Sequence, residues 1–189
     1  MNISAVLLAG GESRRMSKDK ATLLFRGKPL WQIQLELLGR LEPAEIFVSA
    51  RIDPVWRPAD VEFVADDPPS CGPLSGLAAS LAQMRTNHLL ALAIDMPLMT
   101  PEYLTFLCDQ IELGRGVLPK INGRAEPLAA IYPREVHIDF RSALSGIDFS
   151  LQALTSRLVE AGKLRAIRVP DEAREFFLNV NQPDDVQSV

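Results

Sequence analysis

The sequence predicts an α/β domain with a mostly parallel central sheet and helices on both faces. Two observations carry this reading. Over the first hundred residues, short apolar runs alternate with stretches of helical periodicity. The unusual polar patches Gly10-Gly11, Asp66-Asp67 and Asp95 each follow such a run, and sheets of this kind bind ligands beyond the carboxyl ends of their strands. With 189 residues, the chain is expected to form one domain over 1–189, large enough to build a full core without metals or disulfides.

Ile3 to Ala9 is continuously apolar and ends at Gly10-Gly11, the pattern of a buried parallel strand. Pro29 suits a first helical position, and Leu30, Trp31, Leu35, Leu37, Leu38 and Leu41 form a broad helical stripe. Glu45 to Ala50 and Val61 to Val64 read as short strands, the latter stopping at Asp66-Asp67-Pro68-Pro69. A helix starts at Gly72-Pro73, with Leu74, Leu77, Ala78 and Leu81 at i, i+3, i+4, i+7 spacing. His88 to Ile94 is a strongly apolar strand ending at Asp95-Met96-Pro97. Thr100 is a suitable N-cap before Pro101, and Leu104, Leu107, Cys108 and Ile111 face the core.

Beyond Gly114, Gly116 to Lys120 and Pro127 to Tyr132 read as strands joined by the hairpin pair Asn122-Gly123. Ser150 to Ala161 reads as a helix and Leu164 to Val169 as a strand. Asn179 to Val189 starts as a loop and turns helical after Pro183.

A net charge of −4 supplies no global positive field, which argues against nucleic acid or an anionic membrane as partner. Two separated cysteines, Cys71 and Cys108, make no zinc site. The amino terminus has no basic n-region, and no apolar run approaches the ~20 residues that span a bilayer. A cytoplasmic protein is expected.

Against this acidic background, the loop LAGGESRRMSKDK concentrates two arginines and two lysines beside two glycines. Glycine lets a phosphate approach the backbone closely. Arg14 and Arg15 could fork onto phosphate oxygens, and Lys20 could neutralise them as a point charge. The bland reading is a strand-to-loop turn with a solvated basic run. The loop is neither GxxxxGK[ST] nor GxGxxG. Asp95, at the end of its strand, could hold Mg²⁺ bridging phosphates, or serve as a turn residue in DMPLMTP. Asp66 and Asp67 pose the same alternative; Glu126 and Asp19 are further acidic residues, and Asp19 could simply hold Lys18 or Arg15. His88 and His137 are read as structural or solvated.

LAGGESRRMSKDK, GPLSGL, DMP, GRAEPLAAIY and NVNQPDD, in this order, resemble the molybdenum cofactor guanylyltransferases and their nucleotidyltransferase relatives. The resemblance runs from Ile3 to about Asp185. It implies a three-layer Rossmann-like nucleotidyltransferase fold. It also implies transfer of GMP from GTP to the terminal phosphate of molybdopterin, with Mg²⁺ as cofactor. Leu8, Ala9 and Gly10 then line the guanine and ribose, while Gly11, Arg15 and Lys20 attend the triphosphate. Asp66 contacts the nucleotide, Asp95 binds Mg²⁺, Gly72 and Gly76 match the start of the GPLxG helix on the acceptor side, and Asn179 and Asn181 lie near acceptor and metal. Transient contacts with molybdenum cofactor synthesis or acceptor enzymes are also implied.

Three departures keep alternatives open. Ser17 replaces a usual glycine. Ser49 stands where guanylyltransferases often carry an asparagine that helps read the nucleotide, which leaves CTP or another triphosphate as the alternative. The spacing from Asp66 to Gly72 lets Asp66 and Asp67 exchange roles. A reading of another class is a non-catalytic nucleotide-binding protein; retention of Lys20, Asp95 and Asn181 argues against it.

Overall fold

The computed structural model describes residues 2–10, 20–66 and 71–180. The first strand, β1 (Ser4–Leu8), is wholly buried. A 3₁₀ turn at Lys20–Thr22 leads into a two-strand hairpin, β2 (Leu24–Phe25) and β3 (Lys28–Pro29). Next come α1 (Leu30–Gly39), β4 (Glu45–Ala50), β5 (Glu62–Ala65), α2 (Pro73–Gln83) and β6 (His88–Ala93). The second half holds α3 (Pro101–Asp109), β7 (Gly116–Ile121), β8 (Arg124–Ala125), β9 (Ala129–Pro133), α4 (His137–Leu144), α5 (Leu151–Glu160), β10 (Leu164–Arg168) and a 3₁₀ segment at Asp171–Phe177.

The main sheet has the order β10-β7-β9-β6-β1-β4-β5, with β8 paired to β7. β1 pairs in parallel with β4 and β6, β4 with β5, and β10 with β7. β9 is antiparallel to both of its neighbours. The expected α/β architecture is therefore present, mostly parallel.

Strand alternation divides the core in two. Ala5 and Leu7 face a cluster containing α1, α3 and the 171–180 segment, through Leu30, Leu38, Leu104, Leu107 and Phe177. Val6 and Leu8 face the cluster of α2, α4 and α5, through Leu74, Leu77, Phe140 and Leu158. Three layers result.

Two local features depart from expectation. Pro29 belongs to β3 and caps α1 with an extended ψ of 144°, so the helix begins one residue later. Its Leu30 N–H is already bonded to the Leu23 carbonyl, closing the small hairpin. Pro127 and Leu128 precede β9 instead of lying in it. The 3₁₀ segment at Asp171–Phe177 carries no stripe of regular period, and it is held by Ala173 and Phe177 in the core.

Candidate active site

β1 has β4 on one side and β6 on the other, while the chain visits β4 and β5 before returning to β6. The carboxyl ends of β1 and β6 thus flank a topological switch point, where a crevice forms. Ile94 N–H donates to Leu8 O (3.2 Å) across this point. The next residue, Asp95, has its carboxylate 2.6 Å from Lys20 Nζ, and both side chains are mostly buried. Lys20 is held there by its 3₁₀ turn, whose Ala21 is buried in the core.

On the β4 side, the N–H groups of Ala9 and Gly10 both donate to the Ser49 carbonyl, at 2.9 and 3.1 Å. Their contribution to a ligand is therefore shape, not these two donors. Ser49 Oγ donates to Asp66 Oδ1 at 2.8 Å. The Asp66 carboxylate lies against Gly10, where a Cβ would come within 2.7 Å of Oδ2. Gly76 packs beneath the same pair: a Cβ there would sit 2.3 Å from Ser49 Oγ and 3.1 Å from Leu8 Cδ2. Gly76 thus packs against Ser49, Leu8 and Asp66, three residues expected around the nucleotide. Gly72 precedes α2 with φ of 68°, a conformation suited to glycine.

A cleft of about 280 Å³ opens beside Gly10, lined by Ala9, Ala50, Arg51 and Trp56 among others. Trp56 stacks on Trp31 of α1 with ring centroids 5.6 Å apart. Neither tryptophan was singled out from the sequence for a role at the site.

On the other flank of Asp95, Ala93 N–H donates to Leu128 O at 2.8 Å. Val180 N–H donates to the Asp95 carbonyl at 2.8 Å, which brings exposed Asn179 to this end of β6. Glu126 is half-buried, and burial raises its carboxyl pKa against the opposing pull of Arg124. His88 begins β6 and so lies at the opposite edge of the sheet from Asp95; His137 opens α4. Gly11, Arg14, Arg15, Ser17, Asp19, Asp67 and Asn181 lie outside the described residues. Among the described residues no cluster of three His, Cys, Asp or Glu side chains could hold a metal, and no helix is long and apolar enough to cross a membrane.

The MobA-like NTP transferase domain matches residues 5–161. A protein of Opitutus terrae named as a probable molybdenum cofactor guanylyltransferase is 33% identical over 97% of this chain and 92% of its own length. One of the same name from Pyrococcus horikoshii is 29% identical, with both chains fully covered. Among solved structures, molybdopterin-guanine dinucleotide biosynthesis protein A from Archaeoglobus fulgidus superposes with a TM-score of 0.77. It is 24% identical, over 98% of this chain and 95% of that one. A nucleotidyl transferase from Methanothermobacter gives a TM-score of 0.76 at 16% identity, over 98% and 94% of the two chains. The match over most of the chain and the full-length relative agree: this chain belongs to the MobA-like NTP transferase family.

Proposed function

We propose that this protein transfers GMP from GTP to the terminal phosphate of molybdopterin, forming molybdopterin guanine dinucleotide. The observation that carries the reading is the Lys20–Asp95 pair at the switch point, in a chain whose relatives are named for this activity. An acceptor phosphate oxygen attacks the α-phosphorus of GTP. The bond from that phosphorus to the bridging oxygen of the β-phosphate breaks, and its electron pair leaves with pyrophosphate. The nucleophile is already anionic, so no general base is required, which fits a site whose two histidines lie elsewhere. Catalysis then consists of positioning and charge stabilisation.

The nucleotide runs along the sheet edge, with the α-phosphate near Asp95 and the base toward Ser49, Asp66 and the Trp56 cleft. Ser49 spends its hydroxyl proton on Asp66 and so acts on the base through that carboxylate. An ionised carboxylate only accepts hydrogen bonds. Guanine offers it the adjacent N1–H and N2–H donors, whereas cytosine offers N4–H beside an acceptor nitrogen. That favours GTP over CTP.

Mg²⁺ fits the donor set. The Asp95 carboxylate is turned to a cation, Lys20 Nζ, and Mg²⁺ favours one or two carboxylates completed by phosphate oxygens and water. Bound there with Asp95, and with Asn181 as the second expected ligand, it would neutralise charge on the phosphate oxygens. Lys20 and Arg15 hold the departing pyrophosphate, and Asn179 and Gly72 flank the acceptor. A soluble enzyme working in the cytoplasm on these two small molecules, with transient contact to proteins that supply or receive the cofactor, completes the reading.

The test is pyrophosphate release with molybdopterin and each nucleoside triphosphate in turn. GTP is expected to be the productive substrate, and production from CTP alone would replace the guanine assignment. Asp95→Ala and Lys20→Ala should each lower kcat by about 100-fold or more. Wild-type turnover in either variant would remove these roles.

A further inference from the structure

The hairpin of β7 with its returning strand is interrupted beside Asp95. Pairing runs from Ile121↔Arg124 and Lys120↔Ala125 to the bond from Glu126 N–H to Pro119 O (2.9 Å). It resumes only at Val117↔Ile131. The extra residues between form a bulge at 126–128, level with the carboxyl end of β6. Bulges next to active sites re-aim side chains.

This bulge is pinned at every carbonyl. Glu126 O accepts from Ala129 N–H at 3.2 Å and Leu128 O from Ala93 N–H at 2.8 Å. Pro127 O accepts from the Tyr132 hydroxyl at 2.7 Å, and Tyr132 is fully buried. Its Phe140 neighbour holds the ring edge-on. Such a fixed backbone presents Glu126, a half-buried carboxylate with no hydrogen bond or ion pair from its side chain among the described residues. A partly desolvated carboxylate without donors is costly, and a ligand bringing two N–H groups would offset that cost.

The position says which ligand. Gly10, Ser49 and Asp66 lie on the β1 and β4 side of Asp95, and Glu126 lies on the β9 side. The nucleotide takes the first side, so the acceptor enters over the second. A carboxylate repels the acceptor's phosphate and suits its hydrogen-bond donors. We propose that Glu126 is an acceptor-recognition residue, accepting hydrogen bonds from the N–H donors of the 2-amino-4-oxo edge of the pterin ring, with Tyr132 as a positioning residue that fixes the bulge.

This inference rests on the guanylyl-transfer reading, and the test separates the two. Glu126→Gln, Glu126→Ala and Tyr132→Phe would be compared with the wild type for KM of molybdopterin, KM of GTP and direct binding of free 2-amino-4-oxopteridine by its fluorescence. Loss of the carboxylate should raise the molybdopterin KM and weaken pteridine binding roughly 10- to 100-fold, with the GTP KM unchanged. Tyr132→Phe should shift the same two quantities less, again without moving GTP. Pteridine binding and molybdopterin KM within twofold of wild type in both Glu126 variants, or a rise in GTP KM instead, would overturn the proposal while leaving guanylyl transfer intact. A wild type that binds pteridine through Glu126 yet transfers no nucleotide would overturn the function and not this site.

Discussion

At the scale of single residues, the Ser49–Asp66–Gly76 packing makes the sharpest statement. Ser49 is almost wholly buried, and its hydroxyl donates to Asp66 Oδ1 while Oδ2 lies against Gly10. Ser49→Ala should therefore raise the GTP KM by about fivefold to tenfold, with a smaller effect on kcat, because a lost side-chain hydrogen bond is worth roughly 1–1.4 kcal/mol. Steady-state kinetics with GTP varied at saturating acceptor measures this. Gly76→Ala forces a methyl into the Ser49 hydroxyl and should weaken GTP in the same way, with a stability loss of about 1–3 kcal/mol seen by denaturant melts. Equal GTP constants in both variants would detach this pair from the nucleotide. The sequence marks Asp66 and Ser49 separately, as a turn residue and a departure from a motif. Their contact depends on β4–β5 pairing and on a glycine in α2, so no local pattern could announce it.

At the scale of elements, the loop from Arg51 to Trp56 gains meaning from α1. Trp56 is braced by Trp31 and lines the cleft beside Gly10, and the chain has two tryptophans in all, so tryptophan emission, excited where tyrosine does not absorb, reports on this wall alone. Titration with GTP is expected to change that emission saturably, at the concentration where turnover half-saturates. A flat titration under turnover conditions would move the base away from the loop. The regular elements were legible because burial on both faces leaves apolar runs, as in β1 and β6, and one-sided burial leaves a stripe, as in α3. The Asn122-Gly123 turn likewise announced the hairpin that β7 begins. The bulge at 126–128 was not legible, since Glu126-Pro127-Leu128 reads smoothly into the apolar run of β9. It is made by bonds to Pro119 and Tyr132 within the hairpin region and to Ala93 from the neighbouring strand β6. The stacked tryptophans escaped for the same reason: Trp31 counted as helix stripe and Trp56 sat in a polar connection.

At the scale of the whole molecule, the two edges of the sheet do different work. The carboxyl edge gathers Gly10, Asp66, Lys20 and Asp95 around the switch point. The amino edge is tied shut by Glu45 at the start of β4. Its carboxylate accepts from the Ser4 hydroxyl at 2.5 Å, from Arg85 N–H at 2.9 Å and from the Arg85 guanidinium, joining β1, β4 and the end of α2. Burial alone would raise the Glu45 pKa, but these donors outweigh it and hold the carboxyl below its usual value. A carboxyl whose folded pKa is depressed adds stability that is complete above its unfolded pKa of about 4.3. That contribution fades as pH falls through this value toward the lower folded one. Between neutral pH and about pH 5 it should be constant, and the acid loss should begin below. Glu45→Gln keeps the shape and loses the charge, so it should cost about 1.5–3 kcal/mol at pH 7 and show a shallower decline in stability on acidification. Urea melts of both proteins from pH 7 down to about 3.5 measure the difference, which should narrow as the wild-type carboxyl protonates. A difference that stays constant over that range would mean that Glu45 ties the edge by shape and hydrogen bonding alone, and that the acid sensitivity of the fold resides in other carboxylates.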